Sequence, residues 1–270
     1  MTTVSTPTAT LGQPLAGKVA LITGGSRGIG RAIALRLAND GASVIVNYVS
    51  NDATAKAVVD EINALPATKD AKDGKPRAIA VKADVASVDQ AKKLADRALE
   101  VYGKLDVLVL NAGILPNESL LQITDASFDR AFAVNVKGPL FLTQSLAPKM
   151  SPNGRVIFFS STLTAASVVT PNYLLYNATK GAVEQLARVL AKELSKSYGL
   201  TVNTVSPGPT ATEMFFEGKS EQTLNFIKGL SPFNRFGEPN EIAAAVAFFA
   251  GPDSSWVNGH NLRVNGGYVV

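Results

Sequence analysis

The sequence of 270 residues contains no cysteine and a single histidine, His260. Disulfide bonds, thiolate catalysis and cysteine-ligated zinc are therefore excluded. One histidine cannot form a metal cluster alone, and so close to the carboxyl terminus we interpret it as a loop or surface residue. We therefore expect no metal site in this protein.

Runs of basic residues are also missing. The chain has 26 Lys and Arg against 22 Asp and Glu, which gives a formal net charge of +4. The basic residues are not clustered in the way that is typical of nucleic-acid binding. Because a single bound phosphate group suits this small excess equally well, we expect no nucleic-acid partner.

No apolar run is long enough to predict a membrane helix. The longest uncharged span, from Val156 to Thr179, is interrupted by serine, threonine, proline and asparagine. The first residues have neither the basic start nor the apolar core of a secretory signal, and the first arginine is Arg27, which argues against a transit peptide. We expect a disordered tail over residues 1–14 and a soluble, cytoplasmic protein without a membrane partner.

Short β-branched runs alternate with stretches of helical periodicity along the rest of the chain. The predicted strands are Val19–Thr23, Ser43–Tyr48, Ala78–Lys82, Val107–Leu110, Val156–Ser160, Thr201–Ser206 and Asn261–Val264. The predicted helices are Gly30–Asp40, Asp52–Leu65, Val88–Tyr102, Phe128–Lys149, Tyr176–Tyr198 and Pro239–Ala250. This alternation predicts a single α/β domain over residues 15–270, a Rossmann-type doubly wound parallel sheet of about seven strands with helices on both faces.

A glycine-rich turn, TGGSRGIGR, follows the first strand and leads into the first helix. Such a turn lies at the carboxyl end of its strand, where the helix N-terminus offers unpaired N–H groups to a pyrophosphate. The spacing Gly24-x3-Gly28-x-Gly30 differs from the common G-x-G-x-x-G fingerprint. A tight turn without a ligand is the alternative, but the strand–turn–helix context favours nucleotide binding.

The end of the second strand indicates which dinucleotide is bound. NAD-binding sheets carry an acidic residue there for the ribose 2′-hydroxyl, whereas this strand ends with Tyr48. The nearest carboxylate, Asp52, stands where the next helix begins, and we expect it to cap that helix. The polar groups of Tyr48, Ser50 and Asn51, with the guanidinium of Arg27, suit a 2′-phosphate and predict NADP(H). An exposed arginine with no ligand is the alternative.

The segment YNATK places Tyr176 and Lys180 one helical turn apart. A free tyrosine has a pKa of about 10, and we expect the neighbouring ammonium, with an oxidised nicotinamide, to lower it. By itself the Y-x-x-x-K pattern is common by chance. A preceding strand ends with Ser160 and Ser161, at the same edge of the sheet as the glycine-rich turn.

Together these motifs resemble the short-chain dehydrogenase/reductase family over the whole chain after the tail. They occur in the family's order: TGGSRGIG (23–30), ADV (83–85), NAG (111–113), VNVKG (134–138), the strand-end serine, YNATK (176–180) and SPGPTAT (206–212), followed by NRFGEPNEIA (234–243) and NGG (265–267). The segment NYVSN and Arg27 are similar to the NADP(H)-preferring members, particularly the polyhydroxynaphthalene and 3-oxoacyl-[acyl-carrier-protein] reductases.

The resemblance implies a catalytic group of Asn135, Ser161, Tyr176 and Lys180. Tyr176 would exchange a proton with the substrate oxygen, Ser161 would hold that oxygen, and Lys180 would bind the nicotinamide ribose. Asn135 would position a water that feeds protons through Lys180, although an asparagine that only satisfies backbone groups within a helix is the alternative. Ser160 remains an alternative for the functional hydroxyl.

The resemblance and the glycine-rich turn together predict the cofactor-binding positions. These are Gly24, Ser26, Arg27, Gly28, Ile29, Gly30, Tyr48, Ser50, Asn51, Asp84, Val85, Asn111, Ala112, Gly113, Tyr176, Lys180, Pro207, Gly208, Thr210 and Thr212. Asp84 and Val85 would flank the adenine, residues 111–113 the ribose, and the last four the nicotinamide. Tyr173 lacks a lysine four residues later, and we expect it only to line the pocket.

We therefore expect an NADPH-dependent carbonyl reductase that acts on a small-molecule ketone. Residues 213–236 combine aromatic and aliphatic side chains with Gly and Ser, which predicts a lid over a hydrophobic or aromatic substrate, a pair of core-packing helices being the alternative. The other functions considered are an NADP-dependent alcohol dehydrogenase of the sugar-alcohol or steroid type and a non-catalytic NADP(H)-binding regulator. The resemblance also implies a homotetramer (or homodimer), with the helices Phe128–Lys149 and Tyr176–Tyr198 at one interface.

Overall fold

A seven-stranded, all-parallel sheet forms the centre of the protein in a computed structural model that describes residues 12–66 and 74–270. Its strands are β1 (Val19–Ile22), β2 (Ser43–Tyr48), β3 (Ala78–Lys82), β4 (Val107–Leu110), β5 (Arg155–Phe159), β6 (Thr201–Pro207) and β7 (Asn261–Val264). All seven lie within one residue of their predicted ends. The predicted tail at residues 1–14 lies outside the described residues except for 12–14.

The strands are arranged in the order β3-β2-β1-β4-β5-β6-β7. The chain first adds β2 and β3 on one side of β1 and then returns to add β4 to β7 on the other side. In such a doubly wound sheet, ligands bind beyond the carboxyl ends of the strands, where the direction of strand addition reverses. Here that position lies between β1 and β4.

Helices cover both faces of the sheet. They are α1 (Gly28–Asn39), α2 (Asp52–Asn63), α3 (Val88–Tyr102), α4 (Asp125–Phe132), α5 (Gly138–Leu146), α6 (Leu174–Tyr198), α7 (Glu213–Phe216), α8 (Glu221–Gly229) and α9 (Pro239–Ala250). Single turns of 3₁₀-helix lie at Leu120–Gln122, Ala147–Lys149, Thr162–Ala165, Pro171–Tyr173 and Pro252–Ser254. Among the helices of the described residues, none combines the length and the apolar character that spanning a bilayer requires.

The predicted continuous helix Phe128–Lys149 is wrong as a regular α-helix. Its hydrogen-bonding pattern changes to a π-helical turn at Ala133–Lys137 and to a 3₁₀ turn at Ala147–Lys149. Pro139 and Pro148 account for this, because a proline has no N–H to donate to the carbonyl four residues earlier. The segment stays helical but changes its geometry twice.

The alternating directions of strand side chains divide the core into two layers. Along β1, Ala20 and Ile22 pack into one layer, which α1 and α9 cover, while Val19 and Leu21 pack into the other. Helices α3, α5 and α6 cover that second layer. Complete burial of an aliphatic side chain such as Leu21 contributes roughly 1.5–3 kcal/mol, so the apolar strands fix the sheet and thereby its carboxyl edge.

Candidate active site

A cleft of about 960 Å³ runs along the carboxyl edge of the sheet. Its walls come from the glycine-rich turn after β1, the ends of β2, β4, β5 and β6, and the segment that contains α7 and α8. Every predicted cofactor-binding position lines it, as do Ser160 and Ser161. Among the predicted catalytic residues, only Asn135 stands outside the lining.

The glycine-rich turn needs glycine at several of its positions. Gly24 and Gly28 have φ angles of 63° and 52°, in the region that favours glycine. A Cβ on Gly30 would lie 2.1 Å from the Gly24 carbonyl oxygen. Helix α1 starts at Gly28 without a side-chain cap and without an acidic residue in its first turn. Its first N–H groups therefore suit a pyrophosphate.

Asn111 supports this turn from the end of β4. Its amide nitrogen donates to the carbonyl oxygens of Thr23 at 2.9 Å and Gly24 at 3.3 Å. The backbone N–H of Ala112 donates to the Thr23 hydroxyl at 2.9 Å. The NAG segment thus lines the cleft, as predicted, and also fixes the shape of the turn beside it.

The polar groups predicted for a 2′-phosphate meet beyond the end of β2. Arg27, Tyr48, Ser50 and Asn51 all line the cleft, and the Arg27 side chain is 67% exposed. The guanidinium lies 3.7 Å from a carboxylate oxygen of Glu213, a distance that makes only a weak ion pair at the surface. A cation is therefore available at this end of the cleft.

Asp52 does not cap α2, so that prediction is wrong. The cap is Asn51, whose extended backbone allows its side-chain oxygen to accept from the Thr54 N–H at 3.0 Å. Asp52 is the first helical residue and pairs instead with Lys82 at 3.0 Å. The helix starts one residue earlier than the capping prediction required.

At the same end, Asp84 is held by a residue that sequence reasoning missed. Its carboxylate accepts from the Ala86 N–H at 3.0 Å and from Arg130 at 3.1 Å. Arg130 lies on α4 and lines the cleft. In the sequence it stands among charged residues of a surface helix, where nothing distinguishes it.

Tyr176 and Lys180 lie on α6 and face the opposite end of the cleft. The Lys180 ammonium is buried, donates to the Phe159 carbonyl at the end of β5 (2.9 Å), and lies 5.6 Å from the centre of the Tyr176 ring. Tyr173 lines the cleft as predicted, with its ring centre 6.4 Å from that of Tyr176.

The protein's own groups shift the pKa of Tyr176 opposite to the predicted direction. Burial raises the pKa of Tyr176 to about 12, and the Ser161 hydroxyl opposes this shift only in part. Burial also lowers the pKa of Lys180 to about 8. Desolvation is the largest cause of both shifts, so both neutral forms are favoured relative to water.

The two strand-end serines have different surroundings. The Ser160 hydroxyl donates to the Glu184 carboxylate at 2.7 Å and lies 3.3 Å from the Lys180 carbonyl oxygen. The Ser161 hydroxyl accepts from the Leu163 N–H at 3.3 Å and lowers the pKa of Tyr176. Ser161 is therefore the serine whose hydroxyl acts on the tyrosine.

Asn135 lies behind the cleft, in the π-helical turn. Its side-chain oxygen accepts from the Ile114 N–H at 2.9 Å, and its nitrogen donates to the Ile114 carbonyl and to Thr179, both at 3.0 Å. The side chain thus satisfies backbone groups of the loop after β4 rather than of its own helix. The backbone carbonyl of Asn135 has no α-helical donor, because the residue four positions later is Pro139.

The substrate end of the cleft is largely apolar. Its aliphatic and aromatic lining includes Leu115, Leu163, Val168, Met214, Phe215, Phe226, Ile227, Leu230 and Tyr268. Five of these lie in the segment 213–236 that was predicted to line the substrate, whereas Leu115, Leu163, Val168 and Tyr268 were not predicted. Tyr268 lies directly after the NGG motif, which is the one signal in the sequence that could have indicated it.

Comparisons with known proteins agree with this geometry. A family model described as Enoyl-(Acyl carrier protein) reductase matches residues 24–269. An NADPH-dependent aldehyde reductase-like protein, chloroplastic, of Arabidopsis thaliana is 43% identical over 95% of this chain and 96% of its own length. A probable tetrahydroxynaphthalene reductase of Zymoseptoria tritici is 36% identical, with 93% and 94% covered.

Solved structures share the same architecture. A short chain dehydrogenase from Burkholderia cenocepacia J2315, in complex with NADP, superposes with a TM-score of 0.86. It is 37% identical to this chain, and the match covers 95% of this chain and 99% of that one. The predicted α/β fold is confirmed by this likeness and by the seven-stranded parallel sheet.

Proposed function

The chain belongs to the short-chain dehydrogenase/reductase family, and from this premise we propose that it is an NADPH-dependent carbonyl reductase. One observation carries the proposal: Tyr176, Lys180 and Ser161 meet in the same cleft as the glycine-rich turn. The Arabidopsis relative is named as NADPH-dependent, and the Burkholderia structure contains NADP.

The residues of this chain fit an NADP(H) molecule. The glycine-rich turn would accept the pyrophosphate, because the first N–H groups of α1 have no side-chain cap and no acidic residue beside them. Tyr48 replaces the acidic residue that would repel a 2′-phosphate, and Arg27 would pair with that phosphate. Asp84, held by Arg130, would flank the adenine. When bound, NADPH supplies the hydride.

The phenol of Tyr176 would donate the proton to the carbonyl oxygen. With its pKa raised by burial to about 12, the phenol is protonated at neutral pH, as a proton donor in the reductive direction must be. Ser161 would hold the carbonyl oxygen within reach of that proton. Lys180, whose pKa is lowered to about 8, would bind the nicotinamide ribose. It would also pass a proton to Tyr176 after the reaction, and a water bound at the Asn135 carbonyl would supply that proton.

The substrate is a hydrophobic or aromatic ketone or aldehyde. The apolar lining around Met214 and Phe215 supports this class, since such a surface gains by burying a ring. Residues 213–236 would close over it as a lid. The positive φ of Gly218, 71°, between α7 and α8, supports a bend at this point.

The experiment that tests the function measures NADPH oxidation with a panel of ketones and aldehydes. We expect turnover of aromatic carbonyl compounds, and a Tyr176→Phe enzyme without turnover that still binds NADPH. Substantial activity of Tyr176→Phe would contradict the assignment of the proton donor. A wild-type enzyme that binds NADPH but turns over no carbonyl compound or alcohol would indicate a regulator instead.

The domain organisation, assembly and location remain proposals. We propose one domain over residues 15–270 that forms a homotetramer in the cytoplasm. Phe128 on α4 and Val189 on α6 support the assembly, because both are large apolar side chains about half exposed on the helices predicted for the interface. Fractionation of cells of the source organism tests the location.

A further inference from the structure

The carboxylate of Glu184 lies beside the candidate catalytic group but is not part of it. Glu184 is on α6, one turn beyond Lys180 and two turns beyond Tyr176. One of its oxygens accepts from the Ser160 hydroxyl at 2.7 Å and from the Thr164 hydroxyl at 2.6 Å. Neither hydroxyl belongs to the proposed proton transfer.

These two hydroxyls stand on either side of Ser161. Ser160 immediately precedes it at the end of β5, and Thr164 lies in the 3₁₀ turn that follows it. The Thr164 hydroxyl also lies 2.9 Å from the Ser161 carbonyl oxygen. Glu184 therefore holds the strand end and the turn at the same time, with Ser161 between them.

Hydrogen bonds to an ionised acceptor are stronger than those between neutral groups. Each hydroxyl has a single proton, and its distance to the carboxylate is shorter than its distance to the neighbouring backbone carbonyl. Ser160 is almost completely buried, and without the carboxylate its hydroxyl would have the Lys180 carbonyl oxygen, 3.3 Å away, as its acceptor. The carboxylate thus fixes two hydroxyls that would otherwise turn to the backbone.

We propose that Glu184 is a positioning residue that acts through Ser161, keeping the segment 160–164 where the Ser161 hydroxyl faces Tyr176. This inference rests on the proposed carbonyl reduction. Misplacement of a reacting group by about 1 Å costs on the order of a hundredfold in rate. Loss of Glu184 should therefore lower kcat more than it alters the binding of NADPH.

The test is a double-mutant cycle between Glu184→Ala and Ser161→Ala. Rates are measured at enzyme concentrations high enough to follow single turnovers. We expect Glu184→Ala alone to lower kcat on the order of tenfold to a hundredfold, with NADPH affinity unchanged. In the Ser161→Ala background the same change should have little further effect, since no hydroxyl remains to be placed. An equal loss in both backgrounds overturns the proposal.

Two further variants support the cycle. Glu184→Gln keeps an oxygen that accepts from both hydroxyls and should restore most of the activity. Glu193→Ala removes an exposed carboxylate farther along α6 and should match the wild type. If Glu184→Ala does not fold, Thr164→Val removes the link between the carboxylate and the Ser161 carbonyl. A Thr164→Val enzyme with wild-type kcat then overturns the proposal.

The outcomes separate this inference from the proposed function. Turnover in Tyr176→Phe would contradict the carbonyl-reduction mechanism itself. An inactive Tyr176→Phe enzyme, together with equal losses in the two serine backgrounds, would contradict only the role of Glu184.

Discussion

Burial, rather than the pairing of charges, sets the protonation of the groups at the reactive end of the cleft. Tyr176 is pushed toward its neutral form and so is Lys180, although the two lie close together. At the scale of the residue, Tyr176 is therefore protonated at neutral pH, as the proposed proton donor must be.

The lowered pKa of Lys180 predicts how the free energy of unfolding depends on pH. The folded protein loses this proton at about pH 8, whereas an unfolded lysine holds its proton to about pH 10.4. Between these values the unfolded state binds more protons, so the free energy of unfolding rises with pH, by about 3 kcal/mol over the window. Relative to a Lys180→Met variant, wild type should gain stability as pH rises from 8 to 10 in urea unfolding. A constant difference would contradict the assigned shift.

Arg27 makes a prediction about the cofactor. The proposed bond to a 2′-phosphate cannot form with NADH, so Arg27→Ala should weaken NADPH binding about tenfold to a hundredfold and leave NADH nearly unchanged. Fluorescence titration of both cofactors measures this. Arg36→Ala is the matched control, because Arg36 lies near the other end of α1 and pairs with Asp40. Equal losses for NADPH and NADH would contradict the phosphate role.

Motif order predicts most residues that line the cleft. Most of the motifs follow strands whose ends meet at one edge, while VNVKG and YNATK lie in helical segments beside that edge. The sequence does not show which residues of different helices and strands contact each other. Arg130 meets Asp84, and Glu184 meets Ser160, only after α4 and α6 have packed against the sheet. The prediction of the helix cap failed because Asn51 and Asp52 are both suitable capping residues. The backbone conformation, which the sequence does not show, selects Asn51.

At the scale of the element, the π-helical turn Ala133–Lys137 is the feature that departs most from a regular pattern. Gly138 donates to the Ala133 carbonyl, five residues earlier, and Pro139 leaves the Asn135 carbonyl without an α-helical donor. Such turns are frequent at functional sites. The apolar periodicity continues through the turn, so only the proline could have indicated it.

Restoring the missing donor should change the reaction. A Pro139→Ala variant would offer an N–H to the Asn135 carbonyl and convert the turn toward α-helix. We expect kcat to fall roughly tenfold, because that carbonyl would no longer hold the water of the proton relay, while the melting temperature changes little. Pro148→Ala, in the 3₁₀ turn of the same segment, is the control. Wild-type kcat for Pro139→Ala would exclude the relay through this carbonyl.

At the scale of the whole molecule, the surface carries apolar side chains that a monomer has little reason to expose. They include Phe128, Val189 and Leu121, the last of which is 96% exposed. Phe128 stacks on Phe132 with ring centres 4.5 Å apart, so two aromatic rings lie together on α4. In the proposed homotetramer, another copy of the chain would cover these side chains.

Light scattering should find a tetramer for the wild type. Val189→Lys places a charge on α6, a helix predicted for the interface, and it should dissociate the assembly into smaller species because an unpaired buried charge is costly. Glu100→Lys, an exposed change on α3, should leave the mass unchanged. A monomeric wild type would contradict the predicted assembly.

The order of the strands has a consequence for how such a protein diversifies. Tyr48 lies at the end of β2, on one side of the point where strand addition reverses, and Ser161 follows β5 on the other. Mutations at one end need not disturb the packing that supports the other. A descendant of this chain can therefore exchange one dinucleotide for the other without changing the substrate end of the cleft. It can equally acquire a new substrate without changing the cofactor end.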